Sequence, residues 1–566
     1  MTTLPSGLPV VVDRAAPVPL AVQISAQLQR AVTGGALRAG DPLPSSRDLA
    51  ATLGVSRTVV TNAYARLFAE GWLEGCHGSG TYVADVTPPA APPASPPLAS
   101  PPLGPFEGTS ETLRRPAGSP GRRPAGADDH GDPERSRVSR PAADGFEREP
   151  LAETPAASAP EGGAREMTDL QPGISWAEGI EPAAWRRAWR QAGMHLPSRW
   201  PDPHGLPELR EEIAAYLRRS RGLAVSPAHV LITQGVSNGL ALLADALLAP
   251  GDRAGVEEPG YPTGREVLRR AGAQVVPCRV DAHGVVPEEL PGDLRLLYTT
   301  PAHQYPLGGR LPVSRRQALV AWARATGALV VEDDYDSEFR YDVGPLPALH
   351  SMDPDVIVYL GTASKVLATA FGAGWLVAPP DLVEVLAALR PRLGVRIPEP
   401  VQHAVLALLR SGDLERHVRK MRLEYARRRA ALVDALTHGG GPGARAPFRL
   451  LGDTAGMHVV LQLPDDYPTA RLVDSAAARG IAVYSMDRYF AGEPTINGLI
   501  LGYGTATLTQ IRRAAVELAR LLDREAGSDQ PVASKTAMTL VGRSRTTSSP
   551  ATPLRLPNSA ALSRPM

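Results

Sequence analysis

The sequence predicts an α/β chain in which a small unit of three helices and a two-stranded wing precedes a large domain built on a mainly parallel sheet. Two observations carry that reading. From about Met167 to Leu522, short apolar strands alternate with helical segments, the pattern of a parallel sheet covered on both faces. Between Leu20 and Val83, helix-spaced apolar residues flanked by capping residues lead into a glycine-rich strand pair. The boundaries expected are residues 16–86 for the small unit, 87–165 for a linker, 166–523 for the large domain and 524–566 for a tail.

The 566 residues carry 60 Lys plus Arg against 59 Asp plus Glu, a net charge of +1, so any contact with nucleic acid has to be local. Two cysteines, Cys76 and Cys278, cannot build a disulfide framework and have no metal-ligand spacing. The N-terminal stretch lacks the basic and apolar regions of a secretory signal, and no apolar run is long enough to span a bilayer. A cytoplasmic protein with no membrane attachment is expected. The linker (PPAAPPASPPLASPPLGP and onward) and the tail have little large apolar surface to bury, so both are expected to be disordered. A chain of that length averages roughly 50 Å end to end, and proline extends it, so the flanking units are expected to move relative to each other.

In the small unit, Leu20, Ile24, Leu28 and Ala31 recur at helical spacing and define an amphipathic first helix, which Gly34, Gly35 and Gly40 end. Ser45 to Asp48 has the S-x-x-D form of a capping box and starts a short helix burying Leu49, Ala50 and Leu53. Gly54 closes it, and Ser56 caps a third helix, Arg57 to Glu70, whose inward face is read as Val59, Val60, Ala63, Leu67 and Phe68. Two helices joined by a tight glycine-containing turn push the second into a major groove. Ser56, Arg57, Thr58 and Thr61 then lie on its exposed side, with hydroxyl and guanidinium groups suited to phosphates and base edges. The stretch WLEGCHGSGTYV reads as strand, turn, strand, and its tip from His77 through Ser79 and Gly80 offers backbone amides to a sugar-phosphate chain.

The run LPSSRDLAATLGVSRTVVTNAYARLFAEGWLEGCHGSGTYV resembles the GntR-type winged helix-turn-helix over about seventy residues. The resemblance implies a double-stranded DNA operator as partner, held by Arg47, Ser56, Arg57 and Thr58.

In the large domain the strands are read at Val230–Thr233, Leu296–Thr300, Leu329–Asp333 and Val356–Thr362, with helices at Glu208–Arg219 and Arg315–Thr326 between them. Sites in such sheets collect at the carboxyl ends of strands. VEDDYDSEF and GTASK fall there, so Lys365 can reach an aldehyde and Asp333 can pair with a pyridinium nitrogen. Gly235-Val236-Ser237 opens a helix after the first of these strands and points its amides at an anion. Tyr261 in EEPGYP is an aromatic able to stack on a ring. Taken singly, Asp333 reads as a turn residue, Lys365 as a surface charge and Tyr261 as a core aromatic. Together, in this order, they are the groups that pyridoxal 5'-phosphate demands. The acidic run Glu332, Asp333, Asp334, Asp336 and Glu338 lacks spaced histidines and is not read as a metal site. His303 is read as a structural or rim residue.

The succession DPHGLPELR, TQGVSNGL, EEPGYP, TPAHQYPLG, EDDYDSEFRY and YLGTASK is similar to the fold-type I aminotransferases over about 350 residues, and with the GntR-type head the whole chain resembles the MocR-type regulators. The resemblance implies a fold-type I pyridoxal-phosphate-dependent aminotransferase-like domain. It implies Lys365 as the lysine that takes the cofactor aldehyde, Asp333 as partner of the ring nitrogen and Tyr335 beside the phenolic oxygen. Tyr261 stacks, and Val236, Ser237, Thr362 and Ser364 surround the phosphate. Tyr305 stands where enzymes of this fold carry an asparagine near the ring. A homodimer and a small-molecule effector, pyridoxal phosphate or an amine, are also implied, and the regulators of pyridoxal phosphate synthesis are the subgroup indicated.

Two departures stand out. Gly372 replaces the arginine that grips the cofactor phosphate in relatives, a contact class worth roughly 1.5–3 kcal/mol per bond. Ile500 replaces the arginine that holds a substrate carboxylate before an L-G-aromatic triplet, so no catalytic residue is assigned and turnover is not expected. The rival readings are an active aminotransferase with an accessory DNA-binding head, and a cofactor-free regulator using the fold as a dimerisation scaffold.

Overall fold

The computed structural model describes residues 10–15, 19–76, 80–86, 167–341, 347–439, 448–452 and 454–528. The expected linker and the tail beyond Ser528 lie outside the described residues, as does Ser79.

The N-terminal helices are α1 (Leu20–Thr33), α2 (Ser46–Leu53) and α3 (Arg57–Glu70), with strands β1 (Pro42–Leu43), β2 (Leu73–Cys76) and β3 (Gly80–Val83) forming one antiparallel sheet in the order β1-β3-β2. Local chemistry sets these boundaries. The Ser45 hydroxyl accepts from Asp48 N–H at 3.2 Å and donates to the Asp48 carboxylate at 2.7 Å. The hydroxyl thus caps the helix, while the second half of a capping box, a bond from the Ser45 amide to the Asp48 side chain, is replaced by this side-chain contact. Gly54 and Gly71 end α2 and α3 in the left-handed region, φ 62° and 81°, where a side chain is strained. Ile24, Leu28, Leu49, Val60, Ala63 and Leu67 make the core. One expectation fails here: Phe68 is 38% exposed, and Tyr64 takes the inward place, its hydroxyl donating to Pro44 O at 2.8 Å. Val313, from the large domain, closes the same core, so the two units touch despite the expected freedom of the tether.

In the large domain β4 (Thr168–Asp169) pairs with β15 (Ile481–Ala482), while eight strands form the main sheet. They are β5 (Val230–Thr233), β6 (Arg253–Glu258), β7 (Gln274–Asp281), β8 (Gly284–Val285), β9 (Leu296–Thr299), β10 (Leu329–Asp334), β11 (Ile357–Thr362) and β12 (Gly374–Val377). Their order is β5-β12-β11-β10-β9-β6-β7-β8. The run from β11 to β7 is parallel throughout, whereas β12 runs antiparallel to both its neighbours and β8 folds back on β7. Burial on both faces explains why β5, β9 and β11, buried along their whole length, show no apolar–polar alternation. The helices are α4 (Pro182–Ala192), α5 (Pro207–Arg221), α6 (Val236–Leu247), α7 (Pro262–Arg270), α8 (Val313–Thr326), α9 (Pro380–Leu389), α10 (Glu399–Arg410) and the 26-residue α11 (Asp413–His438). Beyond α11, β13 (Arg449–Leu451), β14 (His458–Gln462), β16 (Tyr484–Ser485) and β17 (Gly498–Gly502) make a small antiparallel sheet, packed with α12 (Thr469–Ala477) and α13 (Leu508–Ser528). Among the described residues no helix is long and apolar enough to cross a membrane.

Candidate cofactor cavity and DNA-reading face

On the candidate reading face, Arg47, Ser56, Arg57, Thr58 and Thr61 are all exposed, and so is Gly80, with φ 128°, which pairs with Cys76 at the turn end of the wing. Ser56 Oγ accepts from Val59 N–H at 3.4 Å, which starts α3 at that point, and Arg57 Nε donates to Ser46 Oγ at 3.3 Å. The turn between α2 and α3 therefore brings the two arginine-bearing segments to one edge, and Tyr64 ties the Pro44 side of it to the recognition helix.

In the large domain, all nine residues singled out by sequence for a cofactor line one cavity of about 280 Å³ at the carboxyl ends of the parallel strands. Asp333 comes from the end of β10 and is 5% exposed. Its Oδ2 accepts the Tyr298 hydroxyl, while its Oδ1 is buried without a hydrogen-bond partner. Burial pushes the Asp333 carboxyl up to about 7, against the Tyr298 hydrogen bond and the Lys365 charge, which both favour ionisation. An orphaned acceptor buried in the wall of this cavity calls for a cationic or N–H-bearing ligand. Lys365 donates to Gly173 O, and loss of water lowers its amine below the ordinary lysine range, although Asp333 and Asp336 oppose the change. A less basic amine is more often neutral, the form that attacks a carbonyl. A Cβ on Gly173 would stand 3.1 Å from the amine, and the residue's φ of 75° lies in the left-handed region that favours glycine.

At the other end, Gly235 (φ 105°) caps α6, and the first helical residues Val236 and Ser237 face the cavity. A Cβ on Gly235 would lie 3.8 Å from Thr362 Oγ1 and 3.9 Å from Ser364 Oγ, leaving a cradle of hydroxyls and helix N-terminal amides suited to a phosphate. Tyr261 stands T-shaped to Tyr305, ring centroids 6.0 Å apart, and inclined 27° to Tyr298. Gly372, which replaces the phosphate arginine of relatives, sits at φ 57° with nothing near the position of a Cβ. Ile500 is fully buried in β17, paired with Val460 and Tyr484, so no cation stands there.

The sequence reading missed two residues at this site. Tyr298 was absorbed into an apolar strand, and only its register beside Val331 on β10 brings it under the neighbouring Asp333. His303 is 3% exposed, which removes it from the rim; its Nδ1 lies 2.9 Å from the Tyr335 hydroxyl and 3.0 Å from Asp336 Oδ2. Tyr335 therefore has a fixed hydroxyl, and its phenol is pushed well up by burial and then by the Asp336 charge. The acidic run is also resolved into separate tasks. Glu332 accepts the Leu349 and His350 amides at 2.8 Å each, Asp334 and Glu338 pair with Arg221, and Asp336 holds His303. Among the described residues no three His, Cys, Asp or Glu side chains form a group able to hold a metal ion.

Comparison with known proteins agrees with both halves. Residues 20–83 match the family described as bacterial regulatory proteins, gntR family, and residues 175–486 match aminotransferase class I and II. The chain is 36% identical over 513 residues, 91% of its length and 98% of the relative, to the HTH-type pyridoxine biosynthesis transcriptional regulator PdxR of Corynebacterium glutamicum. It is 31% identical over 499 residues, 87% of its length and 92% of the relative, to the probable rhizopine catabolism regulatory protein MocR of Rhizobium meliloti. Among solved structures, an archaeal alanine:glyoxylate aminotransferase superposes with a TM-score of 0.59 at 26% identity, over 64% of this chain and 92% of the other.

A gntR-type head on the same chain as a fold of pyridoxal-phosphate-dependent enzymes defines a DNA-binding transcription regulator with an aminotransferase-like domain. The chain belongs to the MocR-type regulators.

Proposed function

We propose that the cavity takes pyridoxal phosphate, free or joined to an amine, and that its occupancy changes how the protein presents its winged helices to DNA. The observation that carries this is the buried, unpartnered Oδ1 of Asp333 in one cavity with the low-basicity amine of Lys365 and the N-terminus of α6. When bound, pyridoxal phosphate supplies an aldehyde that condenses with an amine, a ring N–H and a dianionic tail. Lys365 meets the aldehyde, Asp333 the ring nitrogen, and Tyr335, held by His303, the ring hydroxyl. Tyr261 and Tyr305 cover the ring, and Val236, Ser237, Thr362 and Ser364 surround the phosphate. On the reader, Arg47, Arg57, Ser56, Thr58 and Thr61, with Ser79 and Gly80 of the wing, hold an operator. A cytoplasmic homodimer presenting two heads to paired half-sites is part of this proposal, a reading that the family membership supports. The link to pyridoxine biosynthesis is supported by the PdxR relative.

The test is a visible-light titration of the purified protein with pyridoxal phosphate beside Lys365→Ala, followed by operator binding with and without it. A saturable band that depends on Lys365, with a change in DNA affinity, is expected. Identical spectra for both proteins would remove the cofactor. The lack of an arginine at Gly372 favours the scaffold reading, and the same titration decides it. Sustained keto-acid production from an amino-acid donor would instead show an enzyme, against the burial of Ile500.

A smaller effect concerns Tyr298. Its hydroxyl stabilises the ionised Asp333, so Tyr298→Phe raises the Asp333 pKa further and weakens cofactor affinity about tenfold, the loss of one hydrogen bond to a charged group. The same titration repeated at pH 7 and pH 8.5 checks it, and an unchanged midpoint at both would show that Tyr298 does not support the carboxylate.

A further inference from the structure

The helix α13 has two unlike faces. Ile511, Ala515, Leu518 and Leu522 are buried in the core beside the small sheet. Along the side turned to solvent, Arg512, Arg513, Val516 and Arg520 recur at helical spacing and, with Arg479 just after α12, line a surface cavity of about 740 Å³. Its lining carries four arginines and one carboxylate, Glu517, which Arg479 and Arg520 already share at 2.9 and 3.4 Å. Arg512 and Arg513 are exposed and have no ion pair among the described residues. Positive charge gathered in this way, on a chain whose net charge is only +1, calls for an anionic partner.

Where the chain enters the large domain indicates that partner. Thr168 opens β4 and lines the same cavity, pinned there by its N–H, which donates to Gly480 O at 2.8 Å. The residues just before it, 144–166, lie outside the described residues, and their sequence carries six carboxylates, from Asp144 to Glu166, against Arg148 and Arg165. The rest of the connecting segment, 87–143, is balanced, with seven arginines and six carboxylates, so the negative charge is gathered at the end that meets the cavity. Glu166 is two residues from Thr168 and Glu161 seven, spans of at most about 7 and 25 Å for an extended chain. A ligand tied this closely to its site is present at an effective concentration near the millimolar range, which populates ion pairs too weak to join separate molecules.

We propose that this arginine-lined cavity docks the acidic end of the chain's own connecting segment, residues 144–166, with Glu161 and Glu166 facing Arg512 and Arg513. Docked, that end keeps the cations from other polyanions, so that DNA contact is left to the N-terminal reader, and only residues 87–143 remain to span from the reader to the large domain. Because the pairs lie at the surface, the contact weakens as salt rises. Nothing in it depends on the cofactor.

The test is digestion of the full-length protein by a protease of broad specificity, with the cut positions mapped by mass spectrometry and cuts within 87–143 serving as the internal standard. Cleavage of a docked segment follows the population of its undocked form. Against that standard, cuts within 144–166 are expected to be about tenfold slower in the natural chain at low salt than in Arg512→Glu/Arg513→Glu, or than in the natural chain at about 1 M salt. Adding Glu161→Arg/Glu166→Arg to the pocket variant reverses both sides and is expected to restore the protection. Equal relative rates in the natural chain and Arg512→Glu/Arg513→Glu would overturn the docking, and so would a double reversal that stays unprotected. If the segment is unprotected while double-stranded DNA without an operator binds the natural chain more tightly than the pocket variant, the face is a nucleic-acid contact and the proposal falls. Both arginines are exposed, so the variants are expected to keep the fold, which an unchanged thermal midpoint checks.

Discussion

Asp333→Asn is expected to give a protein that is more stable than the natural chain when empty and yet far poorer at retaining pyridoxal phosphate. The carboxyl of Asp333 is pushed up to about 7 by burial, so in the empty cavity its ionised form is disfavoured. A carboxyl whose folded pKa exceeds its unfolded value of about 3.9 stabilises the fold fully below that value and loses this contribution as pH rises through the folded value. Above about pH 7 the natural chain therefore carries an ionised, half-satisfied carboxylate that costs up to ~4 kcal/mol by the size of the shift. An amide has no such charge, so thermal unfolding of the empty proteins should favour Asp333→Asn at pH 8 and show little difference at pH 5. With ligand present the order reverses. The amide cannot neutralise a ring N–H cation, and losing a charge-assisted bond of roughly 1.5–3 kcal/mol weakens binding by about one to two orders of magnitude. A variant that retains pyridoxal phosphate with the natural midpoint would show that the ring nitrogen meets some other group. This opposition of stability and binding is what a site reserved for a ligand predicts, since the unsatisfied Oδ1 is strain that only a guest relieves.

The parts of the molecule legible in the sequence are those whose partners are local. Ser45, Ser56, Gly54 and Gly71 announce helix ends because capping is settled within three or four residues. Of the cavity residues, Asp333, Lys365, Val236 and Ser237 were legible because parallel strands deliver their carboxyl ends to one edge, and Tyr261 as an aromatic able to stack, whereas Tyr335, Tyr305, Thr362 and Ser364 were reached through the family resemblance. Phe68 was misread since it is adjacent to Leu67, and a helix turns about 100° per residue; the face through Val60, Ala63 and Leu67 continues at Tyr64. Tyr298 and His303 act through partners 35 and 32 residues away in other segments, which spacing does not reveal. The antiparallel reversal at β12 was also hidden, because a strand buried on both faces reads the same in either direction. The acidic run around Asp333 looked like a single feature and is four separate ones, because Glu332, Asp333, the Asp334–Glu338 pair and Asp336 each meet partners from different segments.

The largest effect on stability is expected from one of those four tasks. Arg221, at the end of α5 and 2% exposed, pairs through Nε with Asp334 Oδ2 at 2.6 Å and through Nη2 with Glu338 Oε1 at 2.8 Å. Tyr359 donates to Asp334 Oδ2 at 2.7 Å and Tyr216 to Glu338 Oε1 at 2.9 Å, so the cluster is a buried ion-pair triad in which each carboxylate also accepts a tyrosine hydroxyl. Burial raises the Asp334 carboxyl, but the Arg221 charge and its neighbours' hydrogen bonds outweigh it and hold Asp334 below the usual carboxylate range. Arg221→Met leaves two carboxylates buried without a cation, a defect that costs about 3–5 kcal/mol, a large part of the stability of an ordinary domain. In the natural chain the depressed Asp334 contributes stability above its unfolded pKa that is lost as pH falls through its folded value, whereas the variant's orphaned carboxylates are relieved by protonation. The deficit of Arg221→Met is therefore greatest near pH 7–8 and shrinks toward pH 5, as read from denaturant midpoints across that range. Combining it with Asp334→Leu and Glu338→Met removes the stranded charges, and most of the loss should return. If the triple variant unfolds as easily as Arg221→Met, the packing of the guanidinium and not its charge is what supports β10. Because Asp334 is bonded directly to Asp333, a charge-driven collapse also displaces the cavity carboxylate, and cofactor retention should fall in Arg221→Met and recover in the triple variant along with the fold.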